Sequence, residues 1–166
     1  FFAPSSSDSL IEWTKKSRQA SPETKIWVQV GSVHEALDTI KNVCPDVLVV
    51  QGTDAGGHGL AQGASLISLL PEVNDAISIF VSENPSIKAP ILIAAGGIAD
   101  SRGAVAAFAL GASGIVMGTR FLASHEANIA KGYQAEVLRA SDGGQTTVRT
   151  KVYDTLRNTN WAATHN

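Results

Sequence analysis

The sequence lacks the features that mark secreted and membrane proteins. It contains a single cysteine, Cys44, so no internal disulfide can form, and this favours a reducing compartment over secretion. There is no positively charged segment followed by a short apolar stretch, and no apolar run is long enough to cross a bilayer. We therefore expect an intracellular, cytoplasmic protein without a membrane-bound segment.

The sequence also has little charge. Charged residues make up 17% of the 166 residues, against about 25% in an average domain, whereas hydrophobic residues make up 44%. The net charge of -2 gives no electrostatic reason to expect nucleic acid or an anionic membrane as a partner. The length predicts one domain, residues 1–166. Either this domain hides most of its surface or the chain is part of something larger.

Common ligand-binding motifs are missing. Neither GxGxxG nor GxxxxGK[ST] occurs, so the sequence supports neither a dinucleotide fingerprint nor a nucleotide-triphosphate loop. His34, His125 and His165 have no cysteine, aspartate or glutamate clustered at ligand spacing, so we expect no metal site. Cys44 precedes Pro45 at a predicted helix end, which is typical of an inert thiol.

Four apolar segments alternate with helical patterns along the chain. They predict β-strands at residues 26–30, 47–51, 91–95 and 114–117. Such alternation indicates an α/β fold with a parallel sheet, in which right-handed crossovers place all strand C-termini on one side. A closed eight-stranded (β/α) barrel typically needs about 250 residues. Four units correspond to half of such a barrel.

Capping residues predict where the helices between these strands begin. Ser or Asp followed three residues later by Glu marks a capping box, and Pro is favoured in the first turn. From Ser141 onward the chain is polar and shows little regular pattern. The predicted helix starts are Ser9 (running to about Ala20), Ser32 (to Val43), Pro71, Asp100 or Ser101 (to Leu110), and Ser124 (residues 125–139).

The segment after the second strand, Gln51–Gly59, is the most distinctive in the sequence. It holds four glycines and one histidine, His58. Glycine allows the backbone to approach a ligand closely, and an imidazole titrates near neutral pH, so His58 is a candidate general base. A structural histidine bonded within its own loop is the alternative. Asp54 could point into the site or form a turn with its own backbone.

Two glycine turns follow the last two predicted strands. Gly96-Gly97 and Gly118-Thr119 each precede a helix, where free N–H groups and the positive end of the helix dipole suit a phosphate. In (β/α) barrels the last two strand-to-helix loops are the usual phosphate site. Tight turns that need glycine only for geometry are the alternative. Arg120 could add charge to this site or face solvent.

The motifs in this order resemble the nitronate monooxygenase family, formerly called 2-nitropropane dioxygenases. The resemblance is carried by Gln51–Gly59, by Ala94–Ala99 and by Met117–Ala123. The later stretch Asp142–Thr150, with Val152-Tyr-Asp154 after it, is similar to the fungal-type branch of that family. The resemblance runs over nearly the whole chain.

The resemblance implies an FMN-dependent TIM barrel that oxidises alkyl nitronates or nitroalkanes with dioxygen, without a metal. His58 would then be the catalytic base near the α-carbon of the substrate. Gly57 would lie against the flavin, and Gln51 would reach toward it. Gly96, Gly97, Gly118 and Thr119 would hold the FMN phosphate, the same turns that the residue pattern favours.

The sequence departs from the family in length. Family members are about twice as long, and their N-terminal half has no counterpart here, so we expect the C-terminal half of a barrel. Phe1–Pro4 is predicted to be the end of a further strand, and Trp161–Asn166 stops where the family continues. Such a half-barrel could pair with a missing half or dimerise. An FMN-dependent enoyl-acyl-carrier-protein reductase and a catalytically silent flavin-binding half-barrel are the alternative functions.

Overall fold

The chain folds as a four-stranded parallel sheet with helices on one side. The computed structural model describes residues 1–2, 6–159, 161 and 165. The strands follow chain order across the sheet, and each is parallel to its neighbour. They are β1 (Trp27–Val30), β2 (Val47–Gln51), β3 (Ile91–Ala95) and β4 (Gly114–Val116), each within a segment predicted from the sequence.

Within the described residues the chain forms eight helices. Four of them alternate with the strands, and the other four follow β4. In chain order they are α1 (Ser7–Ala20), α2 (Val33–Val43), α3 (Leu66–Glu83), α4 (Ser101–Ala109), α5 (Thr119–Leu122), α6 (Lys131–Arg139), α7 (Gly143–Thr146) and α8 (Val152–Arg157). The predicted α/β fold is confirmed, with four strand–helix units that make up about half of a (β/α) barrel.

The two faces of the sheet differ in what covers them. Alternate strand residues such as Val28, Leu48 and Val50 point toward the helices and form the main buried core. On the other face Val47 and Val49 belong to a separate small cluster, which is completed by residues of β3. At the start of the strands this face is open, since Trp27 is 47% exposed and Ile91 is 54% exposed. This is the face that lines the interior of a closed barrel.

Phe1 lies beside the first strand. Its N-terminal ammonium group donates to the carbonyl of Trp27 at 2.5 Å, and its carbonyl accepts from the N–H of Gln29 at 2.9 Å. These two main-chain bonds place residue 1 where a further parallel strand would pair with β1. Ala3 and Pro4, which the sequence also assigned to that strand end, lie outside the described residues.

Of the five predicted helix starts, two agree with the structure and three differ. The Ser32 hydroxyl caps α2 by accepting from the N–H of Glu35, whose carboxylate accepts in turn from the N–H of Gly31. Asp100, rather than Ser101, caps α4. The start predicted at Ser9 was wrong, because Ser6 caps α1 and accepts from the N–H of Ser9.

The predicted start of α3 at Pro71 was also wrong. The helix begins at Leu66, five residues earlier, and Pro71 lies inside it. The N–H of Leu66 donates to the Asp54 carboxylate at 2.9 Å, so a distant side chain stabilises the earlier start. Proline leaves the carbonyl four residues before it, that of Ile67, without its helical donor. Ile67 is exposed, so water can reach this part of the helix.

The region after β4 departs further from the sequence prediction. The helix expected from Ser124 begins at Lys131 (α6), and of the described helices α5 alone lies between β4 and α6. The side-chain amide of Gln134 donates to the carbonyls of Leu122 and Ser124, and these bonds stabilise a non-helical connection before α6. The polar segment from Ser141, expected to be irregular, contains α7 and α8.

Candidate functional site

The glycine loop after β2 (residues 51–59) lies against the turn after β3. The N–H of Gly52 donates to the carbonyl of Ala95 at 3.0 Å. A Cβ atom at Gly96 would lie 3.0 Å from the Gly52 carbonyl oxygen and 3.1 Å from the N–H nitrogen of Ala55. Such contacts leave almost no room for a side chain, so glycine at this position allows the two loops to pack together.

The glycine loop also contacts the turn after β4. A Cβ atom at Gly56 would lie 2.8 Å from the Thr119 hydroxyl, and one at Gly97 would lie 3.0 Å from the Asp54 Cβ. The three glycine segments that the sequence analysis identified are therefore adjacent at the C-terminal edge of the sheet. In open and closed α/β sheets this edge is where ligands bind.

His58 is held by residues of the C-terminal segment, the part of the chain that begins at Ser141. Its Nε2 atom lies 2.8 Å from Oδ1 of Asp154, and its ring stacks on Trp161 at a centroid distance of 3.9 Å and an angle of 21°. The Asp154 side chain is only 13% exposed, whereas that of His58 is 31% exposed. The imidazole is therefore fixed on two sides while part of its surface stays open to a ligand.

The predicted cofactor residue Gln51 supports the same loop. It is the last residue of β2, and its side-chain amide donates to the His58 carbonyl at 3.1 Å. It also lines a cavity of about 210 Å³, together with Gly59, Arg149 and His165. Small-molecule sites usually enclose about 300–1,000 Å³, so this cavity is smaller than a typical ligand site.

Arg149 ties the C-terminal segment to the glycine loop. Its guanidinium group donates to the carbonyls of Gly57 at 2.7 Å, Ala55 at 2.6 Å and Thr53 at 3.3 Å. A planar guanidinium group offers several donors in one fixed arrangement, which suits binding to several carbonyls of one loop. The loop conformation around His58 therefore depends on a residue that lies 92 positions after Gly57.

The two aspartates near the site, Asp54 and Asp100, each bond to the start of a helix. Asp54 does not point into the site, because its carboxylate accepts from the first N–H of α3. Asp100 caps α4 and pairs with the Arg102 guanidinium group, with 2.6 Å between Oδ2 and Nη2. Hydrogen bonds from the Arg102 side chain lower the pKa of Asp100 from 3.8 to about 2.

Arg120 lies next to a second cavity. This cavity, of about 460 Å³, opens between the start of α4 and the end of β4. It is lined by Asp100, Ser101, Met117 and Arg120 among others. Within the described part of the chain Arg120 makes no hydrogen bond or ion pair, so its positive charge is unpaired beside this cavity.

In residues 1–2, 6–159, 161 and 165, no group of three or more His, Cys, Asp or Glu side chains could hold a metal ion. None of the helices among those same residues is long and apolar enough to cross a membrane.

Comparison with known proteins places the chain in a family. The sequence model of the family described as Nitronate monooxygenase matches residues 14–162. The chain belongs to the nitronate monooxygenase family. The fold and the order of the glycine motifs agree with this assignment.

Two fungal relatives of the family are similar over most of this chain. The nitronate monooxygenase npaC of Metarhizium robertsii is 54% identical over 152 residues, which is 90% of this chain and 40% of that relative. The nitronate monooxygenase of Neurospora crassa is 41% identical over 137 residues, or 82% of this chain and 35% of the relative. The chain therefore spans less than half the length of these relatives.

Solved structures show the same fold. FabK from Thermotoga maritima superposes with a TM-score of 0.67 and 33% identity, over 83% of this chain and 40% of FabK. A nitroalkane oxidase from Streptomyces ansochromogenes superposes with a TM-score of 0.61 and 27% identity, over 75% of this chain and 35% of the oxidase. In both cases the chain matches only a part of the larger protein.

The backbone around the glycine turns could hold the phosphate of a flavin. Gly96 and Gly97 have φ values of +109° and +69°, a conformation that glycine adopts without strain. A Cβ atom at Gly118 or at Gly57 would meet no atom within 4 Å, so the backbone at these two positions is accessible to a ligand. The residues present therefore fit a phosphate group beside the turns after β3 and β4.

Sequence reasoning missed the contribution of the C-terminal segment to the site. Arg149, Asp154 and Trp161 contact the glycine loop or His58, yet none of them was singled out for a role. The motif that resembles the family does include Arg149 and Asp154. That motif was the signal in the sequence, but no local pattern could show which loop these residues contact.

Proposed function

We propose that this chain forms the C-terminal half of an FMN-dependent enzyme that oxidises alkyl nitronates with dioxygen. The observation that carries the proposal is the position of His58, which lies in a glycine loop adjacent to two further glycine turns at the C-terminal edge of the sheet. Membership of the nitronate monooxygenase family supports the reaction class. A small nitroalkane or nitronate and dioxygen are the proposed substrates.

In this proposal His58 is the catalytic base. The proton on the α-carbon of a nitroalkane is acidic because the nitro group delocalises the negative charge of the conjugate base. A partly exposed imidazole beside the proposed ligand site has a nitrogen lone pair that can accept that proton. The C–H bond breaks, its electron pair remains on the nitronate, and an N–H bond forms on His58.

The other residues of the site hold the cofactor and the loop. Bound FMN would accept the electrons of the nitronate, and dioxygen would reoxidise the flavin. We propose that the turn after β3 and the turn after β4 bind its phosphate, and that Gly57 allows the ring system to lie close to the backbone. Gln51 holds the His58 carbonyl and borders the smaller cavity. The proposed phosphate ligands are Gly96, Gly97, Gly118 and Thr119.

The rest of the ligand site is proposed to come from further barrel strands. The cavity beside Gln51 is smaller than a typical ligand site, and one face of the sheet is partly open. Since the chain spans 40% of the Metarhizium robertsii relative, the remaining sequence of a longer protein is the simplest source of those strands. A second copy of this chain is the alternative source.

Flavin binding and reduction test the proposal. The purified 166-residue chain is incubated with FMN, desalted and examined by visible absorption. Retained flavin bands that a nitronate bleaches anaerobically would support the proposed reaction. Bleaching by NAD(P)H but not by a nitronate would favour the enoyl-acyl-carrier-protein reductase instead. Bound flavin without turnover would favour a catalytically silent half-barrel.

The role of His58 is tested with two substrates. His58→Asn should slow oxidation of a neutral nitroalkane more than oxidation of preformed nitronate, because only the neutral form needs a base. His125→Asn, a change at an exposed histidine after α5, is the matched control. Equal losses on both substrates would contradict the assignment of His58 as the base.

A further inference from the structure

We infer that Asp154 is a positioning residue that fixes the protonation of His58, so that Nδ1 is the atom that accepts the substrate proton. The inference rests on the proposed function, because it assigns a specific atom to the base of that reaction. It is carried by the contact of 2.8 Å between Nε2 of His58 and Oδ1 of Asp154.

The contact determines which nitrogen carries the proton. An ionised carboxylate has only acceptor positions, whereas a neutral imidazole has one N–H donor and one acceptor nitrogen. Nε2 must therefore carry the hydrogen that bonds to Asp154, and Nδ1 must carry the free lone pair. Among the described residues Nδ1 of His58 has no hydrogen-bond partner, so it is available to a ligand.

Neighbouring groups hold the two side chains in this arrangement. The hydroxyl of Thr159 donates to Oδ1 of Asp154 at 3.2 Å, and the N–H of Thr159 donates to the Asp154 carbonyl at 2.9 Å. Trp161 covers one face of the imidazole. A flip of the His58 ring would break the bond to Asp154, so one orientation of the ring is strongly preferred.

The loop on the other side of His58 is also fixed. Gln51 holds the carbonyl of His58, and Arg149 holds the carbonyl of Gly57. The side chain of His58 is therefore bound to a residue outside its own loop, Asp154, while Gln51 at the start of the loop fixes its backbone. This arrangement differs from a histidine that bonds within its loop, which was the alternative that the sequence left open.

Asp154 also affects the energy of proton transfer. When Nδ1 accepts the proton from the α-carbon, His58 becomes an imidazolium and the nitronate carries the electron pair. The imidazolium then lies 2.8 Å from a carboxylate that is largely removed from water, where charges attract more strongly than in solvent. Hydrogen bonds to charged groups of this kind change rates by about 10- to 100-fold when they are lost.

The tautomer of His58 can be measured without any catalytic activity. In nitrogen-15 NMR of the 166-residue chain at alkaline pH, where imidazoles are neutral, Nε2 of His58 should be protonated and Nδ1 should not. Asp154→Ala should change the ratio of the two tautomers, and Asp142→Asn, a change at an exposed aspartate before α7, should not. A proton on Nδ1 in the unmodified chain, or a ratio that Asp154→Ala leaves unchanged, would overturn the inference.

Kinetics then separate a positioning role from a purely structural one. Asp154→Asn preserves the shape of the side chain but removes its charge, so it should lower kcat/KM for a neutral nitroalkane by about 10- to 100-fold. The KM of the Asp154→Asn variant for preformed nitronate should equal that of the unmodified chain. The control variant, Asp142→Asn, should match the unmodified chain on both substrates. Unchanged kinetics of Asp154→Asn on the neutral nitroalkane would overturn the positioning role.

The two measurements distinguish failure of the inference from failure of the proposed function. If the unmodified chain oxidises neither nitroalkane nor nitronate, a catalytically silent half-barrel is favoured over the proposed function, while the tautomer measurement still tests the contact between Asp154 and His58. If the chain is active and His58 carries its proton on Nδ1, the function stands and the inference fails.

Discussion

Arg149 donates a hydrogen bond of 2.6 Å to the carbonyl of Ala55, a residue 94 positions earlier in the chain. The same guanidinium group reaches the carbonyls of Thr53 and Gly57. One side chain thereby holds three carbonyls of the loop that carries His58. The polar C-terminal segment is thus a structural part of the site, even though it lies far from the sheet in sequence.

We expect Arg149→Lys to loosen this loop. Lysine keeps the charge but cannot bind three carbonyls with one planar group. Because Arg149 is only half-buried, the free energy of unfolding should fall by about 1 kcal/mol, less than a fully buried charged hydrogen bond would give. Urea denaturation measures this change, and hydrogen exchange of residues 53–58 should become faster.

Arg139→Lys is the matched control for this change. Arg139 lies on α6, is largely exposed and pairs with Glu136, so lysine can keep its ion pair. It should leave both the unfolding free energy and the exchange of the glycine loop unchanged. If Arg149→Lys behaves like this control, the guanidinium contacts do not hold the loop.

Gly118→Ala separates phosphate binding from folding. Gly118 has a negative φ of -106°, and an added Cβ atom would meet nothing within 4 Å, so the fold should tolerate alanine. A methyl group would, however, occupy the space where the phosphate is proposed to approach the backbone. We expect unchanged thermal unfolding and FMN affinity weaker by about tenfold, measured by titration of flavin fluorescence.

Gly132→Ala is the control for the phosphate experiment. Gly132 lies on α6, and a Cβ atom there would also meet nothing within 4 Å. Its FMN affinity should equal that of the unmodified chain. Equal affinities for Gly118→Ala and Gly132→Ala would remove Gly118 from the proposed phosphate site.

Asp54→Ala should weaken the start of α3. Ser65 precedes this helix but its side chain makes no capping bond, so the first N–H of the helix depends on Asp54. Loss of a bond to a helix N-terminus typically costs about 1–2 kcal/mol. Chemical denaturation should show that loss, whereas Asp75→Ala, at an exposed position within α3, should change stability little. A loss no larger than that of Asp75→Ala would contradict the capping role.

The sheet and the convergence of the glycine loops could be predicted because their causes are local. Apolar runs such as Val47–Gln51 end in glycines, and parallel strands must place these ends on one side. The structure brings Gly96 and Thr119 next to the loop of His58 for this reason. No information beyond chain order and residue type was needed for that prediction.

The features that sequence reasoning missed depend on contacts between distant residues. The earlier start of α3 depends on Asp54, which lies 12 residues before Leu66, and the later start of α6 follows the bonds of Gln134 to the preceding turn. Asp154 lies 96 residues after His58. Such pairs leave no periodic pattern, so capping and periodicity rules cannot detect them.

The ion pair between Asp100 and Arg102 should give a pH-dependent contribution to stability. Hydrogen bonds from Arg102 lower the pKa of Asp100 from 3.8 to about 2 in the folded chain. Since the folded pKa is the lower one, the stabilisation is complete above about pH 4 and is lost as the pH falls toward 2. The carboxyl carbon of Asp100, followed by NMR, should titrate with a midpoint near 2.

Arg102→Gln tests the cause of that shift. Without the guanidinium group the NMR midpoint of Asp100 should move back toward 3.8, because the main contribution to the lowered pKa is gone. The unmodified chain should have the higher Tm at pH 6, and this difference should disappear near pH 2, where Asp100 becomes protonated in both proteins. A midpoint that stays near 2 in Arg102→Gln would show that the main-chain N–H groups at the start of α4, rather than Arg102, stabilise the charged carboxylate.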